Sequence, residues 1–219
     1  EREEWLSLIK RQQVEHPVGV QELQGQSPYD FIRILSDSAG EGDIIVTDAG
    51  ATLCWMMQTW RVKRGQRVLS SFNHSPMGWA IPAAIGAAFA EPEKHVICVT
   101  GDGSFQMNVQ ELATIAKHNL NIKIFVLDNE GYGIIRQTQD TWLEGRHAGS
   151  GHSDIHELGI SDVARAYGIK AAGRGTLSRS EFYDTGPFVV QAHIDPRAKI
   201  IPKTGKGKSI SDLEPEAIR

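Results

Sequence analysis

Residues 99–135, VTGDGSFQMNVQELATIAKHNLNIKIFVLDNEGYGII, constrain the fold more than any other stretch. An apolar strand pattern over residues 95–100 runs straight into Gly101-Asp102-Gly103-Ser104. A helical pattern follows over residues 108–118, with Leu112, Ile115 and Ala116 on one side. A second apolar strand, residues 122–127, ends in Asp128-Asn129-Glu130-Gly131. Strand, helix and strand with short joints form a βαβ unit, so the two strands are parallel neighbours. Asp102 and Asn129 then stand at the carboxyl ends of adjacent strands, the edge where open α/β sheets bind ligands.

The residue types at that edge suit one task. Asp102 offers a carboxylate, Asn129 an amide oxygen and Gly131 a bare backbone carbonyl. Three hard oxygens with little charge suit Mg²⁺, which takes its other ligands from phosphate and water. Gly103 and Ser104 add backbone N–H groups and a hydroxyl, as an anion site beside the metal needs. Gly-Asp-Gly by itself is only a turn signal. The flanking strands and the matched Asn-x-Gly on the neighbouring strand favour the site.

Gly101-Asp102-Gly103-Ser104 followed by Asn129 resembles the signature of thiamine diphosphate (ThDP) enzymes. The surrounding residues 101–129 are similar to the acetolactate synthase branch, and the likeness covers nearly the whole chain. The resemblance implies that Asp102, the Asn129 side chain and the Gly131 carbonyl bind Mg²⁺, which holds the cofactor diphosphate. It implies contacts to that cofactor from Gly101, Gly103, Ser104, Tyr132, Gly133 and Ile134 as well.

A net charge of −4 without a basic stripe argues against sequence-independent nucleic-acid binding. The two cysteines, Cys54 and Cys98, are far apart and give neither a disulfide framework nor zinc spacing. No apolar run is long enough to span a bilayer, and a reducing cytoplasm is the expected compartment.

Residues 1–13 are helical in pattern, with Trp5, Leu8 and Ile9 as a small apolar stripe. Residues 14–27, with Pro17, Gly19 and Gly25, read as a linker. In the resembled family a similar helix and linker enter this domain from a preceding one. The chain is therefore expected to be the C-terminal piece of a longer polypeptide, a self-standing small subunit being the alternative. Residues 1–26 are assigned to that linker, 27–202 to the cofactor domain, and 203–219 to an extended, solvated tail.

Ser27 caps a helix with Pro28 in its first turn. A strand over residues 43–48 leads through Ala49-Gly50-Ala51-Thr52 into a helix carrying Leu53, Trp55, Met56, Met57 and Trp60. A strand end, a Gly turn and a helix N-terminus make a second anion site, and the resemblance places Gly50, Ala51 and Thr52 at the diphosphate. Acetolactate synthases carry a Gln-His-Gln run where this chain has Ala51-Thr52-Leu53. Trp55 and the methionines read as core or interface.

A further short strand, residues 67–71, leads to Phe72-Asn73-His74-Ser75-Pro76-Met77-Gly78 and then to a helix of small residues over 79–90. By resemblance Met77 props the cofactor between its two rings, and the Ser75 carbonyl accepts from the 4′-amino group. His74 is placed within reach of substrate, with a satisfied structural histidine as the alternative. Tyr132 to Gln139 begin a covering helix. Acetolactate synthases have a Trp at the position of Thr138, where it selects the second substrate. Residues 142–153 read as a surface loop, and His147, His152 and His156 lack metal-ligand spacing. A helix over 160–167, capped by Ser161, precedes the last two strands, 168–172 and 188–194. The connection between those strands, residues 173–187, is short for a crossover helix.

The expected architecture is a three-layer α/β sandwich, a mostly parallel sheet of about six strands with helices on both faces. The function implied is a ThDP- and Mg²⁺-dependent enzyme on 2-keto acids, like acetolactate synthase. After loss of CO₂ the two-carbon unit is either added to a second carbonyl, making a carboligase, or protonated to an aldehyde, making a decarboxylase. A nucleotide-binding module is the rival of another class, but GxGxxG and P-loop signatures are missing. A non-catalytic subunit of the same fold is the third. The resemblance also implies a homodimer or homotetramer. An N-terminal pyrimidine-binding domain, absent from this chain, would supply the activating Glu. The helices over 55–60 and 79–90 are the expected docking faces.

Overall fold

The computed structural model describes residues 2–15, 17–19, 21–151, 159–173, 182–204 and 213–214. Six strands form one all-parallel sheet in the order β2-β1-β3-β4-β6-β5. They are β1 (Ile44–Thr47), β2 (Arg67–Leu69), β3 (Val96–Gly101), β4 (Ile122–Asp128), β5 (Lys170–Gly173) and β6 (Phe188–His193). From β1 the chain crosses outward to β2 and then back past β1 to β3, so the winding direction reverses between β1 and β3. Such a switch point leaves a crevice at the carboxyl ends of its two strands.

The central strands are buried on both faces. Along β1, β3 and β4, alternate residues point to opposite sides. Ile44, Val46, Val96, Cys98, Ile122, Ile124 and Val126 enter one core. Ile45, Ile97, Val99, Phe125 and Leu127 enter the other. The first core is closed by α4 (Ala80–Ala90), α5 (Asp102–Met107), α6 (Leu112–His118) and α8 (Ile160–Ala166). The second is closed by α2 (Pro28–Ser38), α3 (Gly50–Thr59) and the segment after β6. The three layers thus match the sandwich expected. Cys98 is a small core residue, and both cysteines are free thiols.

Local signals explain most elements. Ser27 Oγ accepts from the Asp30 amide at 3.3 Å and opens α2. Pro82 sits in the first turn of α4, where its missing N–H costs nothing. Four details differ from the sequence reading. The helix expected over 108–118 starts earlier: α5 begins at Asp102 itself, and a short 3₁₀ turn, Val109–Glu111, joins it to α6. The glycines of the Gly-Asp-Gly-Ser turn hide that helical turn from a propensity reading. Gly159, not Ser161, is the N-cap of α8; Ser161 is buried inside the helix, and its amide donates to Gln191 Oε1 at 3.3 Å. α3 offers no apolar docking face, because Trp55 and Met56 are core residues and only Met57 is exposed among its large apolar side chains. Among the described residues after 202, β7 (Lys203–Thr204) pairs antiparallel with β8 (Leu213–Glu214), a pairing the sequence reading did not include. Of the connection before β6, residues 174–181 lie outside the described residues, as do His152 and His156.

α1 (Arg2–Glu15) buries none of its residues, and Trp5 is mostly exposed. Residues 199–202, after β6, are tied down by side chains. Tyr29 Oη accepts from the Ile201 amide at 2.7 Å. Gln58 donates to Pro202 O, Trp55 Nε1 to Lys199 O, and Gln137 both donates to and accepts from the Ile200 backbone. Residues 199–202 therefore form a strap across α2, α3 and α7 (Gly133–Trp142).

Lys123 in β4 is almost fully buried. Its Nζ donates to the Asp184 and Gly186 carbonyls, each at 2.5 Å, closing the turn before β6. Burial pushes its ammonium down to about 8. Lys123→Met keeps the packing but strips both carbonyls of their donor. We expect a loss of about 1–3 kcal/mol in urea unfolding; an unchanged midpoint would mean water replaces the ammonium without cost.

Candidate functional site

A cavity of about 460 Å³ opens at the switch point. Its walls come from four strand ends. Gly50, Ala51 and Thr52 follow β1; Ser75 and Met77 follow β2; Gly101, Asp102, Gly103 and Ser104 end β3; Asn129, Gly131, Tyr132, Gly133 and Ile134 follow β4. Every residue assigned from the sequence to cofactor or metal contact lines this space. His74 does not: it is an exposed turn residue outside the lining. Thr138 also lies outside, exposed on α7, with its hydroxyl donating to Ile134 O at 2.8 Å.

Sequence reasoning missed several lining residues: Cys54 and Trp55 on α3, Phe72, and Ile135. Trp55 belongs both to the core and to the cavity wall, so the core assignment held only half of its role. Helical position alone gives no sign of this, since the cavity touches the first turns of α3 and not its whole face.

α3 begins at the cavity. Gly50 has φ +70, a turn that takes the chain sharply from β1 into the helix. Ala49 at the N-cap has no side-chain oxygen, so the first-turn amides are left to an outside acceptor. On the opposite wall Tyr132 packs directly on Gly103, where any Cβ would collide with its ring and stand 3.4 Å from Met77 Cε. Tyr132 and Met77 thus converge over the start of α5. Ser75 is held at φ +44 by a 2.7 Å bond from its amide to Ser71 O.

Asp102 is the best-held group at the corner where the sequence leads one to expect Mg²⁺. Its Oδ1 accepts from the Gly103 amide and its Oδ2 from the Gly131 amide, both at 2.8 Å. The second bond joins the ends of β3 and β4. Burial pushes its carboxyl up to about 6, against the pull of those two amides; Asp128 raises it further and Arg136 lowers it. Asn129 is buried beside it. In one amide orientation its nitrogen donates to Gly131 O at 3.0 Å and its oxygen accepts from Arg136 at 3.2 Å. Turned over, the amide oxygen faces the Gly131 carbonyl, oxygen against oxygen, and only a cation between them makes that favourable. Gly133 leaves room for the amide, since a Cβ there would stand 2.5 Å from it. One carboxylate, one amide oxygen and one carbonyl fit Mg²⁺, with phosphate and water completing an octahedron.

A pH dependence follows. The native Asp102 carboxyl holds its proton more tightly than the ordinary 3.8. Its contribution to stability is therefore fully present below about 4 and is lost as pH rises through about 6. In metal-free buffer we expect this carboxyl to lower the melting temperature across that window, with added Mg²⁺ offsetting the loss. Comparing Asp102→Asn with the parent in thermal melts isolates the effect. An identical pH profile for the two would contradict it.

A parallel sheet with a cavity at its switch point, an uncapped helix N-terminus and a hard-oxygen corner makes a site suited to a phosphorylated cofactor held through a divalent cation. Comparison with known proteins identifies which one. Residues 48–190 match the family model described as "Thiamine pyrophosphate enzyme, C-terminal TPP binding domain". The chain belongs to this family, thiamine pyrophosphate being another name for ThDP. It is 34% identical to the acetolactate synthase large subunit of Cyanidium caldarium, over 95% of this chain and 36% of that protein. It is 30% identical to the acetolactate synthase isozyme 1 large subunit of Escherichia coli K12, over 97% of this chain and 39% of that one. A shorter stretch, 65% of this chain, is 38% identical to the Lactococcus lactis large subunit. The chain spans little more than a third of the length of the first two relatives. No described helix is long and apolar enough to cross a membrane.

Proposed function

We propose that this chain is the cofactor-binding part of a ThDP- and Mg²⁺-dependent enzyme that acts on 2-keto acids as an acetolactate synthase-like carboligase. The observation that carries this reading is the convergence of Asp102, Asn129 and Gly131 at one corner of the cavity between β1, β3 and β4. Asp102, the Asn129 amide oxygen and the Gly131 carbonyl hold the metal. The α3 amides, Gly103 and Ser104 hold the diphosphate. Tyr132, Ile134 and Met77 enclose the rest and exclude water. When bound, ThDP supplies the electron sink for decarboxylating a 2-keto acid; the chain's own residues bind it, orient it and keep it dry. The boundaries are 1–26 for the linker, 27–202 for the domain and 203–219 for the tail.

The partner is an N-terminal pyrimidine-binding domain that supplies the activating Glu. Its support is the length of the relatives, about three times the stretch matched here. A homodimer or homotetramer and a cytoplasmic setting belong to the same reading, the latter supported by two free thiols. Thermal shifts with ThDP plus Mg²⁺ against NAD⁺ or ATP test the reading; stabilisation by either nucleotide and not by ThDP would overturn it.

One observation favours simple decarboxylation as a second reading: Thr138, with its hydroxyl turned back onto Ile134 O, stands where acetolactate synthases carry an acceptor-selecting Trp. Pyruvate given alone to the complete enzyme separates the two, acetolactate marking the carboligase and acetaldehyde the decarboxylase.

A further inference from the structure

Asp48 ends β1 and is almost fully buried, yet among the described residues no Lys or Arg is paired with it. Its carboxylate instead accepts from four donors. Oδ1 takes the Ala49 amide at 2.8 Å and the Gly78 amide at 3.0 Å. Oδ2 takes the Ala80 amide and the Thr100 hydroxyl, each at 3.1 Å. These donors belong to three segments that carry cavity-lining residues. Ala49 precedes the Gly50 turn. Gly78 and Ala80 flank the start of α4, immediately after Met77. Thr100 lies two residues before Asp102 on β3. The Ala80 amide belongs to the N-terminus of α4, an eleven-residue helix that favours a negative charge.

The Met77 loop is gripped from its other side too. Asn108 Nδ2 donates to Gly78 O at 2.8 Å. Gly78 has φ +83, and a Cβ there would lie 2.7 Å from Met107 Cβ. Gly78 is thus clamped between Asp48 and the end of α5, which holds the backbone that carries Met77 one residue upstream, its Cε standing near Gly103.

We propose that Asp48 is a positioning residue: its carboxylate fixes Met77 relative to the Asp102 turn, so that a bound cofactor meets both in one geometry. This rests on the ThDP reading of the cavity. A carboxylate is required because all four partners are donors. An Asn would offer one acceptor oxygen and turn an NH₂ group against donors on the other side, and charge-assisted bonds are roughly twice as strong as neutral ones.

The test uses the complete enzyme with ThDP and Mg²⁺. Asp48→Asn should slow exchange of the cofactor C2 proton, followed by NMR at saturating ThDP, by about tenfold or more. ThDP affinity by calorimetry should change by less than about threefold, because the metal corner is untouched. Thr100→Val, which removes one of the four bonds, should slow exchange by about two- to fivefold, and Thr100→Ser should restore it. A merely stabilising Asp48 would lower the melting temperature and leave saturated exchange at the parental rate, and that result overturns the proposal. If Asp48→Asn does not fold, the Thr100 pair decides: parental exchange in Thr100→Val overturns it as well. Failure of the ThDP reading itself is seen separately, as a parent enzyme that neither binds ThDP nor exchanges its proton.

Discussion

Asp102→Ala is expected to abolish Mg²⁺-dependent ThDP binding, with affinity falling on the order of 100-fold or more. Two losses combine. The metal loses the only carboxylate among its three proposed ligands, so the diphosphate faces a poorly held cation. The Gly131 amide also loses its 2.8 Å acceptor, which releases the loop that presents the other two ligands. Asn129→Ala should weaken binding less, because a neutral ligand contributes roughly half as much as a charged one. Calorimetric titration of ThDP with and without Mg²⁺ measures both. Unchanged affinity in Asp102→Ala would remove the metal assignment.

Met77→Ala should cut turnover of the complete enzyme by about 10- to 100-fold while changing ThDP affinity by a few-fold at most. Met77 is partly exposed at the mouth of the cavity, with its methyl group over Gly103 and close to Tyr132. On the proposed reading, truncation would spare the residues that hold the diphosphate and take away the side chain that supports the cofactor between its rings. Met77→Leu keeps nearly the same volume and should be mild. Steady-state kinetics beside cofactor titration separates the two quantities. Normal turnover in the Ala variant would make Met77 a packing residue only.

The sheet was legible because its central strands are continuous apolar runs, which only a doubly covered sheet accommodates. The corner where Asp102, Asn129 and Gly131 meet was legible because the three residues sit at strand ends within a short stretch of chain. What stayed hidden depends on distance along the chain. Asp48 looks like any strand-end carboxylate until Gly78, Ala80 and Thr100 arrive from positions far downstream. Lys123 is invisible inside an apolar strand because its role is set by two backbone carbonyls from a later turn. For His74, closeness in sequence does not fix place: its neighbours Phe72, Ser75 and Met77 line the cavity, while its own position in the turn is exposed. The start of α5 was masked by glycines that suit both a turn and a helix entered directly from a strand.

The strap over α2, α3 and α7 has a temporal consequence. The Tyr29 hydroxyl waits for a backbone amide 172 residues further on. Emerging from the ribosome, β1 and α3 form one wall of the cofactor cavity before its tether exists; Gln58 Oε1 can already accept from Tyr29 Oη, but Trp55 Nε1 and the Gln137 amide meet their backbone partners only once residues 199 and 200 are made. Closing so long a loop is entropically costly and slow. This wall of the cofactor cavity is therefore secured only after residue 202 has been made, and ribosome-bound chains halted before residue 199 should be more open to protease around α3 than chains extended past residue 202.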